Sequence, residues 1–173
     1  MARVLNIGCG EDFTIGTDFV DLYPQKDDVK QCDIDKDRLP YDDGTFDEVY
    51  TKNLFEHLTN PANLMKEANR VLKKGGRLTL ITDNAAYLGI GFGKTLFLHN
   101  YSGYGKEDRH FEIYTAFHMR NWADKFGFEV ESIDYLMQKD SPSAFLRIVK
   151  SVLLPLLPKH LSGVNLKLVA KKK

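Results

Sequence analysis

Cysteine is scarce in this sequence, since only Cys9 and Cys32 occur among 173 residues. Two cysteines cannot build a disulfide framework, and they lack the paired spacing of a cysteine metal site. This composition excludes a disulfide-stabilised secreted protein and favours a reducing compartment. We therefore predict a cytoplasmic protein with no metal site.

Long apolar runs and an excess of charge of one sign are also missing. No segment approaches the roughly 18 apolar residues that cross a membrane, and none resembles a signal peptide. The formal net charge is zero, and no segment is basic and aromatic enough to predict a nucleic-acid surface. A chain of 173 residues is long enough for one substantial core, so we predict a single soluble domain over residues 1–173.

The sequence does contain an alternation of short apolar segments with helical patterns. Asn60 and Pro61 begin one predicted helix, which the glycine pair 75–76 is expected to end. Thr115 begins a second helix, which ends at Gly127. Because parallel strands need crossovers between them, this alternation predicts an α/β fold with a largely parallel sheet. Strands are predicted at residues 4–7, 16–22, 29–32, 46–51, 77–82, 128–136 and 165–172.

The first predicted strand ends in Gly8-Cys9-Gly10, which we call the glycine loop. Glycines at the end of a parallel strand let a ligand approach the backbone. A dinucleotide fingerprint needs a further glycine where Phe13 stands, and "EDFTIG" has no helical pattern to bind a pyrophosphate. The next two strands end in Asp21 and Asp33, which suit ribose hydroxyls and an exocyclic amine. The pattern therefore predicts an adenosine ligand without phosphates.

Four segments carry a family resemblance: "VLNIGCG" at 4–10, "GTDFVDL" at 16–22, "CDIDKDRLPYDDGTFDEVYTKNLFEHL" at 32–58 and "LMKEANRVLKKGGRLTLIT" at 64–82. In this order and spacing they resemble the class I S-adenosylmethionine-dependent methyltransferases of the type 11 group. The resemblance implies a Rossmann-like three-layer sandwich with an antiparallel last strand. It also implies S-adenosyl-L-methionine as the cofactor and methyl transfer as the reaction.

The resemblance assigns roles to residues of the first half, 1–83, which would bind the cofactor. The glycine loop would contact the methionine part, Asp21 the ribose hydroxyls, and the pair 33–34 the adenine. Asn53 would face the methionine and the sulfonium. The complete set of implied cofactor contacts is Asn6, Gly8, Cys9, Gly10, Asp21, Asp33, Ile34 and Asn53.

The chain departs from the family pattern at two places. Asn6 replaces the acid that commonly precedes the glycines, and only five residues separate Gly10 from Gly16, so the usual first helix is expected to be largely lost. A second candidate for the ribose acid is Asp18, because "GTD" also resembles the family's glycine-any-aspartate form. Asp21 is favoured over Asp18 since it is the last strand residue before the turn.

The second half offers candidates for the methyl acceptor's site. Residues 84–114 are predicted to be an insertion that covers the substrate, and residues 115–173 a C-terminal half with an extra helix. Within the insertion "GIGFGKT" has three residues between its glycines where a phosphate-binding loop needs four, so we treat it as chance. For a hydroxyl acceptor His110 is the predicted catalytic base, since an imidazole exchanges protons near neutral pH. The other predicted substrate contacts are His57 of the "EH" pair, His99, Tyr101, Tyr104 and Glu112.

Near the end, residues 143–157 place apolar side chains on one face of a predicted helix. Core packing explains this face, and peripheral contact with a membrane or a partner is the alternative. "NLKLVAKK" then predicts an edge strand.

The sequence as a whole predicts a methyltransferase that acts on a small-molecule acceptor. A non-catalytic cofactor-binding or scaffold protein of the same fold is the alternative, and nucleotide hydrolysis is a remote third.

Overall fold

The computed structural model describes residues 2–87, 110–137 and 156–173, and these residues form a seven-stranded sheet. Its order is β3-β2-β1-β4-β5-β7-β6. The neighbours from β3 to β5 pair in parallel, and β7 pairs antiparallel with both β5 and β6. The strands are β1 (Val4–Ile7), β2 (Asp18–Asp21), β3 (Val29–Gln31), β4 (Phe46–Lys52), β5 (Leu72–Asp83), β6 (Phe128–Leu136) and β7 (Asn165–Lys172).

The predicted α/β class and the antiparallel last strand are confirmed, but the expected edge position of β7 is wrong. β7 lies between β5 and β6, and the edge strand is β6. Leu166, Leu168 and Ala170 alternate along β7 and are fully buried. The sequence of β7 fixes which of its faces is apolar, whereas its place in the sheet depends on pairing with β5 and β6, which lie far away in the chain.

Within residues 2–87, 110–137 and 156–173, two α-helices have ten or more residues. The helix α1 (Pro61–Val71) joins β4 to β5, and α2 (Ala116–Lys125) precedes β6. Thr115 caps α2 as predicted, in a reciprocal pair of hydrogen bonds with His118. The short helices are a 3-10 turn (Phe55–His57) after β4 and α3 (Lys159–Ser162) before β7.

The predicted end of α1 at the glycine pair is wrong, because the helix stops at Val71 and Leu72 already begins β5. Leu72 pairs with Phe46 of β4, and the register then shifts before Arg77 pairs with Glu48. Gly75 has φ 75 inside this irregular start of the strand. Pairing with β4 therefore ends the helix, and the glycine allows the irregularity that follows.

The connections between β1, β2, β3 and β4, residues 8–17, 22–28 and 32–45, contain no α-helix. This confirms the expected loss of the first helix. Side chains hold the first connection instead, since the buried Asn6 amide donates to the carbonyl oxygens of Asp12 at 3.2 Å and Ile15 at 2.9 Å. The carboxylate of Asp35 fixes the third connection by accepting from the backbone of Thr59 and Asn60 at 3.0 Å.

The core between these elements is built mainly from apolar side chains. Phe46, Phe55, Leu64, Met65 and Leu78 are completely buried within it. Within the described ranges no helix is long and apolar enough to cross a membrane.

Several predictions lie outside the described residues. These concern His99, Tyr101, Tyr104, "GIGFGKT", most of the insertion at 84–114, and residues 143–155 of the predicted extra helix.

Candidate functional site

The candidate site lies at the carboxyl edge of the sheet, where β1 to β5 end side by side. Ile7 pairs with Val20, and Asp21 pairs with Gln31, so the segments that follow β1, β2 and β3 emerge next to one another. Ligands of open α/β sheets bind at this edge because the loops after the strands leave a crevice there.

The glycine loop turns sharply as it leaves β1. Gly8 has φ 70 and Gly10 has φ 50, a backbone region that side chains rarely adopt. A Cβ atom on Gly10 would meet nothing within 4 Å, whereas one on Gly8 would lie 2.7 Å from Cδ2 of Leu54. The loop therefore leaves room beside Gly10 and packs closely against the residues after β4 at Gly8.

Asp21 fastens this loop to β2. Its Oδ2 accepts a hydrogen bond from the Gly10 amide at 2.8 Å, and its Oδ1 accepts one from the Tyr23 amide at 2.8 Å. The competing candidate, Asp18, begins β2 at the opposite edge, where Arg3 binds its carboxylate at 2.7 Å and 3.0 Å. Of these two acids, only Asp21 lies beside the glycine loop.

Cys9 lies inside the loop as a buried thiol. Burial and the nearby charge of Asp21 raise the pKa of the Cys9 thiol to about 11. A thiol with such a pKa is protonated at neutral pH and is a poor nucleophile. Cys9 therefore fits the role of a small, unreactive residue next to a ligand.

The pair Asp33 and Ile34 follows β3 in a loop that is tied to α1. The Asn63 amide donates to the carbonyl oxygens of Ile34 at 2.8 Å and Asp37 at 2.9 Å. Ile34 is buried, and Asp33 binds Lys36 at 2.6 Å on the protein surface. An apolar side chain beside a carboxylate is a suitable contact for a base with an exocyclic amine.

Asn53, directly after β4, has φ 51 and is the one residue other than glycine with a positive φ in the described part of the chain. The backbone N–H of Asn53 donates to the carbonyl oxygen of Ile81 at 2.9 Å, which fixes the turn against β5. Asparagine tolerates this conformation better than most residues, and such strained positions cluster at functional sites.

A second group of polar side chains meets just beyond β4 and β5. The rings of His57 and His110 stand edge to face with centroids 4.4 Å apart, although 52 positions of the chain lie between them. Glu56 is buried, and its Oε2 accepts from the Thr82 hydroxyl at 2.8 Å. Asp83 Oδ2 lies 3.3 Å from Nδ1 of His110.

The structure thus brings together two of the predicted substrate-side residues, His57 and His110, and adds two that the sequence reasoning did not single out for this role, Thr82 and Asp83. A polar residue at the end of a predicted parallel strand is the signal that could have identified Asp83. Glu112, also predicted, is exposed and accepts from the Tyr114 hydroxyl at 2.6 Å. Burial and this hydrogen bond raise the pKa of Tyr114.

Comparisons with known proteins identify the family of this chain. A family model for the methyltransferase domain matches residues 1–133. Sarcosine/dimethylglycine N-methyltransferase of Halorhodospira halochloris is 42% identical over 45 residues, which are 26% of this chain and 16% of that protein. The matches to curated relatives span only 12% and 16% of the relatives' lengths.

Solved structures share the fold over nearly the whole chain. An S-adenosylmethionine dependent methyltransferase from Mesorhizobium loti has a TM-score of 0.62 and 19% identity, with 99% of this chain and 91% of that chain covered. A chain of the complex that contains the Trm112 methyltransferase activator of Haloferax volcanii has a TM-score of 0.65 and 18% identity, with 98% and 81% covered. At such identities the likeness shows the fold.

Proposed function

Because the chain belongs to the methyltransferase domain family, we propose that it transfers the methyl group of S-adenosylmethionine to a nucleophile on a small molecule. The four quoted segments resemble the type 11 group, and we propose that the chain belongs to that group of the class I enzymes. The buried free thiols of Cys9 and Cys32 are consistent with a reducing, cytoplasmic location.

The carboxyl edge offers groups that fit S-adenosylmethionine. The space beside Gly10 lets a ligand approach the backbone, and Asp21 supplies a carboxylate to ribose hydroxyls. Ile34 and Asp33 offer an apolar surface and an acceptor to the adenine. Asn53 would face the methionine part. The contact between the Asp21 carboxylate and Gly10 at 2.8 Å carries the proposal, because it joins the two elements that this ligand needs.

Asn6 supports the site from behind. Its amide holds the first connection in place of the missing helix, with hydrogen bonds to Asp12 and Ile15 at 3.2 Å and 2.9 Å. The acid that the family commonly has at this position is absent. We therefore propose that the ligand's amino group is bound by other groups of the glycine loop, such as its carbonyl oxygens.

S-adenosylmethionine, when bound, supplies an electrophilic methyl group on its sulfonium. The chain's own contribution is to hold donor and acceptor in line and to exclude water. The glycine loop and Asn53 would orient the methionine part, and His57 and His110 would face the acceptor. An amine or carboxylate acceptor needs no base, which suits a site whose main task is positioning.

The polar group of His57, His110, Glu56 and Asp83 could bind a small acceptor with a polar headgroup, since one donor atom each of Glu56, His57 and His110 lies within 4.8 Å of the others. One short match is to an enzyme whose name specifies sarcosine and dimethylglycine. We propose an acceptor of comparable size with a polar headgroup. The alternative is a non-catalytic protein that binds S-adenosylmethionine. It is supported by Asn6, which stands where the family commonly has an acid before the glycines.

Calorimetry with S-adenosylmethionine, its demethylated product and ATP tests the proposal. We expect the first two to bind with Kd values between about 1 µM and 1 mM, a range that matches common substrate affinities, and ATP not to bind. Binding of ATP alone would contradict the proposal. Tight binding of S-adenosylmethionine without turnover on any amine, hydroxyl or carboxylate acceptor would favour the non-catalytic alternative.

A further inference from the structure

Three side chains beyond the cofactor residues converge as donors, and we call Glu56, His57 and His110 the EHH cluster. One oxygen of Glu56 and one ring nitrogen of each histidine all lie within 4.8 Å of one another. None of the three is among the residues assigned to S-adenosylmethionine.

The backbone fixes this convergence. The Phe111 amide donates to the Glu56 carbonyl oxygen at 2.8 Å, which ties the segment after His110 to the 3-10 turn. The Ala85 amide donates to the Tyr114 carbonyl oxygen at 2.8 Å, which ties the same segment to the end of β5. The segment that follows His110 is therefore held between the 3-10 turn and the end of β5.

Outer groups orient the donors in the way that metal ligands are usually oriented. Oδ2 of Asp83 lies 3.3 Å from Nδ1 of His110, and Oδ1 of Asp83 accepts from the Asn165 amide at 2.9 Å. Oε2 of Glu56 accepts from the Thr82 hydroxyl at 2.8 Å. A carboxylate behind a histidine and a hydrogen bond to a ligating carboxylate are the outer shell that metal sites share.

The donor set selects the class of ion. Two imidazoles and one carboxylate suit a divalent transition metal such as Zn²⁺, whereas Mg²⁺ and Ca²⁺ prefer oxygen ligands. Three protein ligands leave at least one coordination position for another molecule. Glu56 is 1% exposed, and a dication beside it would offset the cost of burying its charge.

We propose that the EHH cluster binds one divalent transition-metal ion, with Asp83 and Thr82 orienting His110 and Glu56. The open position of the ion takes an oxygen or nitrogen donor of the methyl acceptor, a second step that rests on the proposed function. A nitrogen of His110 that binds the ion cannot also take a proton, so the inference replaces the predicted role of His110 as a base. The spacing of the cysteines predicts no metal site, but the EHH cluster contains no cysteine.

The test uses the full chain after treatment with a chelator. Titration with Zn²⁺ by calorimetry, and with Co²⁺ by visible absorption, is expected to show one ion per chain with a Kd of about 1 µM or lower. His57→Ala and His110→Ala should each weaken binding by more than about 100-fold, because changes in outer groups alone cost about 10- to 100-fold. Asp83→Asn should fall in that lower range.

His160→Ala is the matched control, since His160 is exposed on α3 and outside the cluster, and it should bind the ion like the wild type. The affinity of each variant for S-adenosylmethionine, measured in parallel, reports that the site at the glycine loop is intact. Wild-type protein that binds no ion, or histidine variants that bind as well as wild type, would overturn the proposal. Failure of S-adenosylmethionine to bind wild type would instead overturn the proposed function and leave the ion titration to be judged on its own.

Discussion

At the amino edge of the sheet charged side chains pair with one another, whereas at the carboxyl edge polar side chains gather in the segments that follow the strands. Arg3 binds Asp18 at 2.7 Å, and Lys73 binds Asp47 at 2.7 Å. These partners lower the pKa of both carboxyl groups. At the amino edge these carboxylates are thus neutralised by neighbouring cations, in pairs that each contribute only modestly to stability because they are partly exposed.

The carboxyl edge has the opposite character. Asn53 there is the one residue other than glycine with a positive φ in the described ranges, and an oxygen of Glu56 and a ring nitrogen of His110 lie within 4.8 Å of each other. Conformations that cost free energy persist where the surrounding structure fixes them, and they are common at binding sites. Substitutions at the amino edge should therefore change stability, whereas substitutions at the carboxyl edge should change cofactor binding.

The largest expected effect comes from Gly8→Val. A branched side chain there adds strain at φ 70, collides with Leu54 at 2.7 Å and covers the backbone that the cofactor must approach. We expect cofactor binding to be lost, as measured by calorimetry with S-adenosylmethionine.

Gly44→Val is the matched control at the amino edge. Gly44 has φ 64, so it carries a similar backbone penalty of about 1–3 kcal/mol, but a Cβ there meets nothing within 4 Å. This variant should lose stability and keep its affinity for the cofactor. Normal binding by Gly8→Val would show that the cofactor lies elsewhere.

The second effect concerns the ion pair of Glu67 and Arg70, in which Nη2 of Arg70 lies 2.6 Å from Oε2 of Glu67. Arg70 also donates to the carbonyl oxygens of Leu39 at 3.0 Å and Tyr41 at 2.8 Å, so it joins α1 to the connection before β4. Arg70→Met should lower the free energy of unfolding by about 3–5 kcal/mol, because Glu67 is left buried without its partner. Urea unfolding measures this loss.

Asp124→Ala serves for comparison, since it breaks an exposed pair with Lys173 and should cost no more than about 1 kcal/mol. The double variant Glu67→Gln with Arg70→Met should recover part of the loss, because glutamine is neutral and still accepts from the Leu39 amide. A loss from Arg70→Met as small as that from Asp124→Ala would show that the pair does not stabilise this edge.

The same pair gives a pH dependence. Burial raises the pKa of Glu67, but hydrogen bonds from Arg70 and the Leu39 amide outweigh it, and the pKa lies below its ordinary value. A lowered pKa in the folded state means that the stabilisation is present above the unfolded pKa, near about 4.3, and is lost as pH falls through the folded pKa. In Glu67→Gln this part of the acid sensitivity should be missing.

The third and smallest effect compares two acids of the same strand. Asp21→Ala removes a charged acceptor from the carboxyl edge and should weaken S-adenosylmethionine binding by about 1.5–3 kcal/mol, roughly ten- to more than a hundredfold. Asp18→Ala removes the contact with Arg3 at the amino edge. It should change the affinity for the cofactor by less than about twofold. If Asp18→Ala has the larger effect on binding in calorimetry, the ligand does not lie at the carboxyl edge.

Features that depend on neighbouring residues were predictable from the sequence. The end of β1 at the glycine loop follows from an apolar run that meets two glycines, and the start of α1 at Pro61 follows from a residue with a fixed φ and no amide hydrogen. The cap at Thr115 and the missing helix between β1 and β2 are equally local. Each of these is decided within a few residues, where the sequence pattern and the backbone geometry are directly connected.

The amino-acid sequence by itself thus determined that glycines follow β1 and that an aspartate ends β2, and with that the carboxyl edge as the place of the candidate site. Only the tertiary structure decided that β7 lies inside the sheet, that α1 stops at Leu72 by pairing with β4, and that Asp21 rather than Asp18 lies beside Gly10. It also decided that His110 stands against His57 with Asp83 behind it. These outcomes depend on contacts between residues far apart in the chain, and their free energy comes from packing and pairing that no local pattern encodes.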